Sequence, residues 1–290
     1  MLAAFPSPLP RFAALTAVLA VISLAALALA PASPARAASS SPAASSTATA
    51  PGYTALCRDQ SKRRLPGTRA SSYSRCVSAM AKLASGQTRS ARKACDALSR
   101  RRPAGARRSP YAKCLRAAGT LLRAGNAFDR AYVAEMIPHH ESAVEMAEIA
   151  LDRAQSTFVR NLASDIIVSQ KKEIATMRQI AKRLADLGVK PRSLGLSKAE
   201  MGMDHDASHL RDADPFDHMF IDMMIPHHQG ALTMSDVLLA RGTGVRTKAL
   251  AKQIITAQTR EIEAMERHHA MEAPHGSGSP SGSGGTDAHH

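Results

Sequence analysis

Tryptophan is absent from this chain, and 6 Phe and 4 Tyr are its only other aromatics in 290 residues. The aromatic and β-branched alternation that builds sandwiches and barrels has almost nothing to draw on, which excludes an all-β fold. No G-x-G-x-x-G follows a strand, and neither a G-x-x-x-x-G-K-[ST] loop nor a G-x-S-x-G elbow occurs, so the commonest nucleotide-binding and hydrolase signatures are missing. Acidic residues are scarce up to residue 126. From Tyr53 to Asn126 there are 18 Lys and Arg against 2 Asp, a net of +16, whereas Ala127 to the end holds 18 against 22, a net of −4. Two segments of opposite character meet near residue 126. What remains is an Ala-rich, helix-prone chain, and its expected class is all-α.

At the N-terminus Arg11 precedes an apolar run from Phe12 to Ala30. Pro and Ser breakers follow, and then Ala35-Arg36-Ala37, which fits a signal-peptidase site. Residues 1–37 are therefore expected to be a cleaved signal peptide, and the protein to be exported: periplasmic, bound to the cell wall or secreted. The run also approaches the roughly 20 residues that span a bilayer, so an uncleaved anchor is the alternative. Residues 38–52 read as a flexible linker, and 272–290 as a disordered low-complexity tail.

The basic segment, 53–126, is a tandem repeat. Its four cysteines, Cys57, Cys76, Cys95 and Cys114, are each 19 residues apart, and Ser61, Arg63, Arg64, Gly67, Arg69 and Tyr73 recur 38 residues later. Pro66-Gly67 and Pro103 to Gly105 are breakers, while Ser72, Thr88 and Ser109-Pro110 suit helix starts, so each repeat reads as two short helices around a basic loop. Export implies disulfides, and of three connectivities the duplication favours Cys57–Cys76 with Cys95–Cys114. Zinc is the rival reading, but there is no C-x-x-C pair. The charge suggests anionic cell-envelope polymers or lipid headgroups as partners. Nucleic acid is not expected, because export and the lack of stacking aromatics argue against it.

Residues 127–271 are duplicated too. Phe128 to Leu151 (FDRAYVAEMIPHHESAVEMAEIAL) and Phe216 to Leu239 (FDHMFIDMMIPHHQGALTMSDVLL) stand 88 residues apart, and Leu162 to Met177 matches Leu250 to Met265 at the same offset. Each half reads as a helical hairpin. At about 100° per residue, Asp129, Val133, Met136, His140, Ala143 and Ala147 share one face of the first helix, with Tyr132, His139 and Met146 on its flank. Leu162, Ile166, Gln170, Ile174, Met177 and Leu184 form the stripe of the second, with Glu173 at its edge. Neither hairpin can bury its stripe alone, so the two should pair into a four-helix bundle, with Gly188 to Pro215 as the crossover.

Met136, His139 and His140 in one copy match Met224, His227 and His228 in the other, and Met146 matches Met234. Imidazoles do not enter a core without a partner. Pro138 and Pro226 should kink their helices or begin new segments, opening a polar pocket at the bend. Thioether sulfur is soft and imidazole borderline, a mixture that suits Cu(I), Ag(I) and Cu(II) rather than Mg, Ca or Mn. These eight residues are the expected metal ligands. Buried Met is also ordinary core filler, and a buried His is often only a structural one. Further Met and His residues lie at Met201, Met203, His205, His209, His218, Met219, His268, His269, Met271 and His275.

The segment Phe216 to Ala231, followed by Gln258 to Met265, resembles the family called domain of unknown function 305. The resemblance implies a ferritin-like helical bundle in an exported bacterial protein, with copper binding and copper tolerance in some members. It also implies signature positions at Asp217, Met224, His227, His228, Gln258, Glu261 and Met265, and at Asp129, Met136, His139, His140, Gln170, Glu173 and Met177. The first copy departs from the pattern, with Glu141 for Gln and Ser142 for a close-approach Gly. Three functions compete. The first is a non-catalytic exported protein that sequesters or delivers copper or silver. The others are a ferritin-like metal oxidase and a structural envelope protein without a metal. The oxidase would use Asp129, Asp217, Glu173 and Glu261, but the Glu-x-x-His pairs usual in dinuclear bundles are missing.

Overall fold

The computed structural model describes residues 52–272. The expected signal peptide, the linker up to residue 51, His275 and the tail beyond 272 lie outside the described residues. Within them the chain forms seven α-helices and two short 3-10 helices, with no strand. No helix among the described residues is long and apolar enough to cross a membrane.

In each cysteine repeat a short helix leads through a basic loop into a longer one. A 3-10 helix, Tyr53–Cys57, precedes α1 (Ser72–Ala84), and α2 (Ala91–Cys95) precedes α3 (Pro110–Ala124). Ser71, Ser90 and Ser109 are the caps, each hydroxyl accepting the backbone N–H three residues on. The start expected at Thr88 therefore falls two residues later. The disulfides are Cys57–Cys76 and Cys95–Cys114, the pairing that the duplication favours. Each ties the end of a short helix to the second turn of a long one, and each closed loop contributes about 3 kcal/mol by restricting the unfolded chain.

The bundle consists of α4 (Ala127–Arg153), α5 (Thr157–Asp186), α6 (Phe216–Arg241) and α7 (Val245–Glu272). Hairpins α4–α5 and α6–α7 pack with α4 against α6 and α5 against α7. α4 and α6 run unbroken through Pro138 and Pro226, so neither proline begins a new segment. The crossover, with a 3-10 helix at Ala207–Asp212, lies on α4 and α6.

Two aspartates lock the hairpins together. Asp129, on the first turn of α4, accepts the backbone N–H groups of Asn126 (2.8 Å), Thr243 (2.8 Å) and Gly244 (2.9 Å), the latter two in the α6–α7 turn. Asp217, its counterpart on α6, accepts those of Gln155 (3.1 Å) and Ser156 (2.6 Å) in the α4–α5 turn. Each half thus caps the other half's turn, an exchange that satisfies two buried carboxylates and fixes the pairing. A Cβ on Gly244 would stand 2.7 Å from Asp129 Oδ1, so the turn needs a glycine to approach this closely.

The cysteine repeats share a core with the bundle. Cys76, Met80, Leu83, Cys114, Ala118 and Leu121 fall in one apolar cluster with Tyr132, Met136, Leu184 and Ile254. The main chain joins in as well: Tyr53 N–H donates to the Leu187 carbonyl at 2.6 Å, and the Arg89 guanidinium donates to that of Ala240.

Candidate metal centre

α4 touches both α5 and α6, and α6 touches both α7 and α4, so these two helices bury residues around most of their circumference. All eight expected ligands are buried: Met136, His139, His140 and Met146 on α4, and Met224, His227, His228 and Met234 on α6. The structure departs from the one-stripe reading at His139 and His227. They do not lie on a flank but meet across the α4–α6 contact, ring centroids 3.8 Å apart at 42°. His140 and His228 stand outward of this pair, at 6.1 and 6.3 Å from their neighbours in sequence.

Each outer histidine is held by the second helix of its own hairpin. His140 Nε2 donates to Glu173 Oε2 at 2.8 Å, and His228 Nε2 to Glu261 Oε2 at 2.6 Å. His139 Nε2 donates to the Met201 carbonyl at 2.9 Å. Carboxylate and carbonyl oxygens can only accept, so in all three rings Nε2 carries a proton, and a neutral ring keeps its lone pair on Nδ1. All three Nδ1 atoms are buried with no hydrogen-bond partner, and neither nitrogen of His227 has one at normal geometry. The side-chain amides of Gln170 and Gln258, equivalent by the duplication and almost fully buried, are likewise unpartnered. Buried polar atoms are nearly always satisfied, so the unpartnered nitrogens of the histidine cluster make it a candidate chamber for a ligand.

Electrostatics keep the central rings neutral. Burial, reinforced by His140, pushes the His139 imidazolium down to about 3. Burial and the adjacent His139 push His227 well below its ordinary value. Neutral imidazole is the form that ligates. Buried methionines fall into two pseudo-equivalent sets: Met136, Met177 and Met234 share one apolar cluster, while Met224, Met265 and Met146 share the other. Among the described residues no three His, Cys, Asp or Glu side chains form a ready cage for an ion. Asp129 and Asp217 are bound to turns, with Asp129 ten residues or about 15 Å along α4 from His139, and Glu173 and Glu261 hold imidazoles.

The halves are not identical. Tyr132 stands where α6 has Phe220; its hydroxyl lies 2.9 Å from Ser235 Oγ, and burial raises its pKa. At Gly230 a Cβ would overlap the Met201 carbonyl, and at Gly202 one would overlap that of Pro226. The crossover therefore lies directly on the α6 histidine segment, backbone against backbone. One crossover needs one such glycine, which explains why the first copy can carry Ser142. Of the outlying residues, Met201 reaches the chamber through its carbonyl, whereas His205 and His209 are exposed. His218 stands edge-on to His269 at 5.0 Å, and His268 stacks on Phe158 at 4.2 Å.

The chain is 31% identical to CopM, solved in a Cu(I)-bound form, with 49% of this chain and 96% of that one covered at a TM-score of 0.43. CopM in a silver-bound form is 30% identical over 50% and 96% of the two chains, with the same score. So is a DUF305 fragment from Deinococcus radiodurans, over 51% and 98%. The uncharacterized protein L153 of Acanthamoeba polyphaga mimivirus is 40% identical over 52 residues, 18% of this chain; the match spans about a third of that protein, 34%. The family described as domain of unknown function, DUF305, matches residues 82–181 and 129–269, more than half of the chain. This chain, with its two M-I-P-H-H helices inside the matched residues, belongs to the DUF305 family.

Proposed function

We propose that the protein is a non-catalytic, exported carrier of Cu(I), able to take Ag(I) as well, which it binds in the buried histidine and methionine chamber between α4 and α6. The observation that carries this reading is the set of imidazole nitrogens at His139, His140, His227 and His228, buried and without hydrogen-bond partners. A soft monovalent ion satisfies such lone pairs, and thioethers from Met136, Met224, Met146 and Met234 match it. Glu173 and Glu261 orient the outer rings and offset the incoming charge, the usual task of carboxylates behind metal-bound histidines. In an oxidising compartment thiols are lost to disulfides, and here all four cysteines are so paired. Methionine remains as the soft ligand. CopM, the relative 31% identical along nearly its whole length, has been solved with Cu(I), with Cu(II) and with silver.

The test is an anaerobic Cu(I) competition titration of the mature chain and of His139→Ala/His227→Ala. Loss of two ligands from a chamber of this kind weakens Cu(I) by at least about 100-fold. Equal affinities would remove the chamber from the account.

A further inference from the structure

A concavity far in sequence from the histidines lies between the first cysteine repeat and α3. It encloses about 600 Å³ and is rimmed by Arg58, Arg107, Arg108, Lys113 and Arg116. Asp59 is the only acid in its lining, and none of these five cations has an ion pair among the described residues. Five like charges around one hollow repel one another, an arrangement that costs stability unless an anion neutralises it. In the neighbouring hollow between α2 and α3 one cation is committed internally: Arg100 pairs with Asp96 at 2.9 Å and lies 4.6 Å over the Tyr111 ring, which leaves Arg92 and Lys93 as that hollow's other positive charges.

The walls are rigid. Arg58 follows Cys57, and Lys113 precedes Cys114, so the two disulfides fix opposite sides of the rim. The Gln60 amide, buried beneath it, donates to the Pro110 carbonyl at 2.8 Å, and Lys113 Nζ donates to the Asp59 carbonyl at 2.8 Å. Four of the five cations are arginines, whose planar forks fit phosphoryl oxygens two at a time. No aromatic ring lines the hollow, so there is nothing to stack a base, and its concave form suits a compact ligand better than a flat bilayer.

From these features we infer that this hollow is a binding site for a compact oligophosphate group, several phosphoryl units held by Arg58, Arg107, Arg108, Lys113 and Arg116. The phosphoryl chemistry could reach it free in solution or as a lipid headgroup, and the concave rim favours the free form.

Calorimetric titration of the mature, disulfide-bonded chain with sodium tripolyphosphate at low ionic strength tests the site. One equivalent should bind, and Arg107→Gln/Arg116→Gln should weaken it by at least about tenfold. Arg92→Gln/Arg100→Gln removes the same charge from the other hollow and should stay within about twofold of wild type. Arg107→Lys, which keeps the charge but loses the fork, should fall between. Both double variants alter exposed side chains, and their thermal melts, together with the single variant Arg107→Gln, separate a binding loss from a folding loss. Equal weakening by both pairs would overturn the proposal as general charge attraction. So would sedimentation with phosphatidylglycerol vesicles in the absence of tripolyphosphate binding. The histidine chamber's Cu(I) affinity is independent of either result.

Discussion

His227 concentrates the tension between stability and binding. Its ring is buried, both nitrogens lack partners, and the adjacent His139 disfavours its charge. Leucine has similar bulk and no polar atoms, and replacing an unsatisfied buried group by an apolar one is neutral or stabilising. His227→Leu is therefore expected to leave the melting temperature of the metal-free protein unchanged or higher while weakening Cu(I) by at least about tenfold; calorimetric melting and competition titration on the same sample check both halves. Acid acts on the same rings. His139 protonates at about 3 in the folded protein, against about 6.5 in an unfolded chain. Between those values the unfolded chain binds a proton that the folded one refuses, so stability falls as pH drops from about 6.5 towards about 3. The metal-free protein should melt lower at about pH 4.5 than at about pH 7, and His139→Leu/His227→Leu should show a shallower fall. A steeper fall in that variant would point to other groups.

At the scale of elements, the duplication, both hairpins and the disulfide pairing were legible in the residues, because period and spacing are properties of the chain itself; the eight Met and His candidates came from ligand chemistry, and all eight are buried. The placement of His139 and His227 was not legible. A single apolar stripe assumes one partner per helix, and α4 and α6 each have two, so residues 100° apart are both buried. The task of the aspartates was illegible for a similar reason: Asp129 and Asp217 lie on the core face as expected and serve turns of the opposite hairpin, which no spacing within one helix can announce. The glycine difference between the copies became intelligible only with the crossover in place. Gly230→Ala should force the Met201 backbone away and destabilise the protein by about 1–3 kcal/mol, whereas Ser142→Gly should cost no more than about 1 kcal/mol through helix propensity. Urea unfolding of the two variants checks this. Similar losses would mean that the crossover does not rest on α6.

Taken as a whole, the molecule joins a basic, disulfide-braced module to an acidic bundle through one apolar cluster. The bundle's hairpins complete each other, so residues 127–271 alone are expected to melt cooperatively. The face covered by α1 and α3 is then exposed, and the melting temperature should lie below that of the full chain; thermal unfolding followed by circular dichroism measures both, and a gradual, non-cooperative melt of the bundle alone would contradict it. The central claim, that the buried chamber is a Cu(I) site made of imidazole and thioether, meets its most direct test in X-ray absorption at the copper edge of the full chain loaded with one equivalent of Cu(I). The account predicts both nitrogen and sulfur in the first coordination shell, with the sulfur contribution reduced in Met136→Leu/Met224→Leu, whose volume-conserving changes leave the fold intact. A shell of nitrogen and oxygen alone, or a sulfur signal untouched by those substitutions, would contradict it.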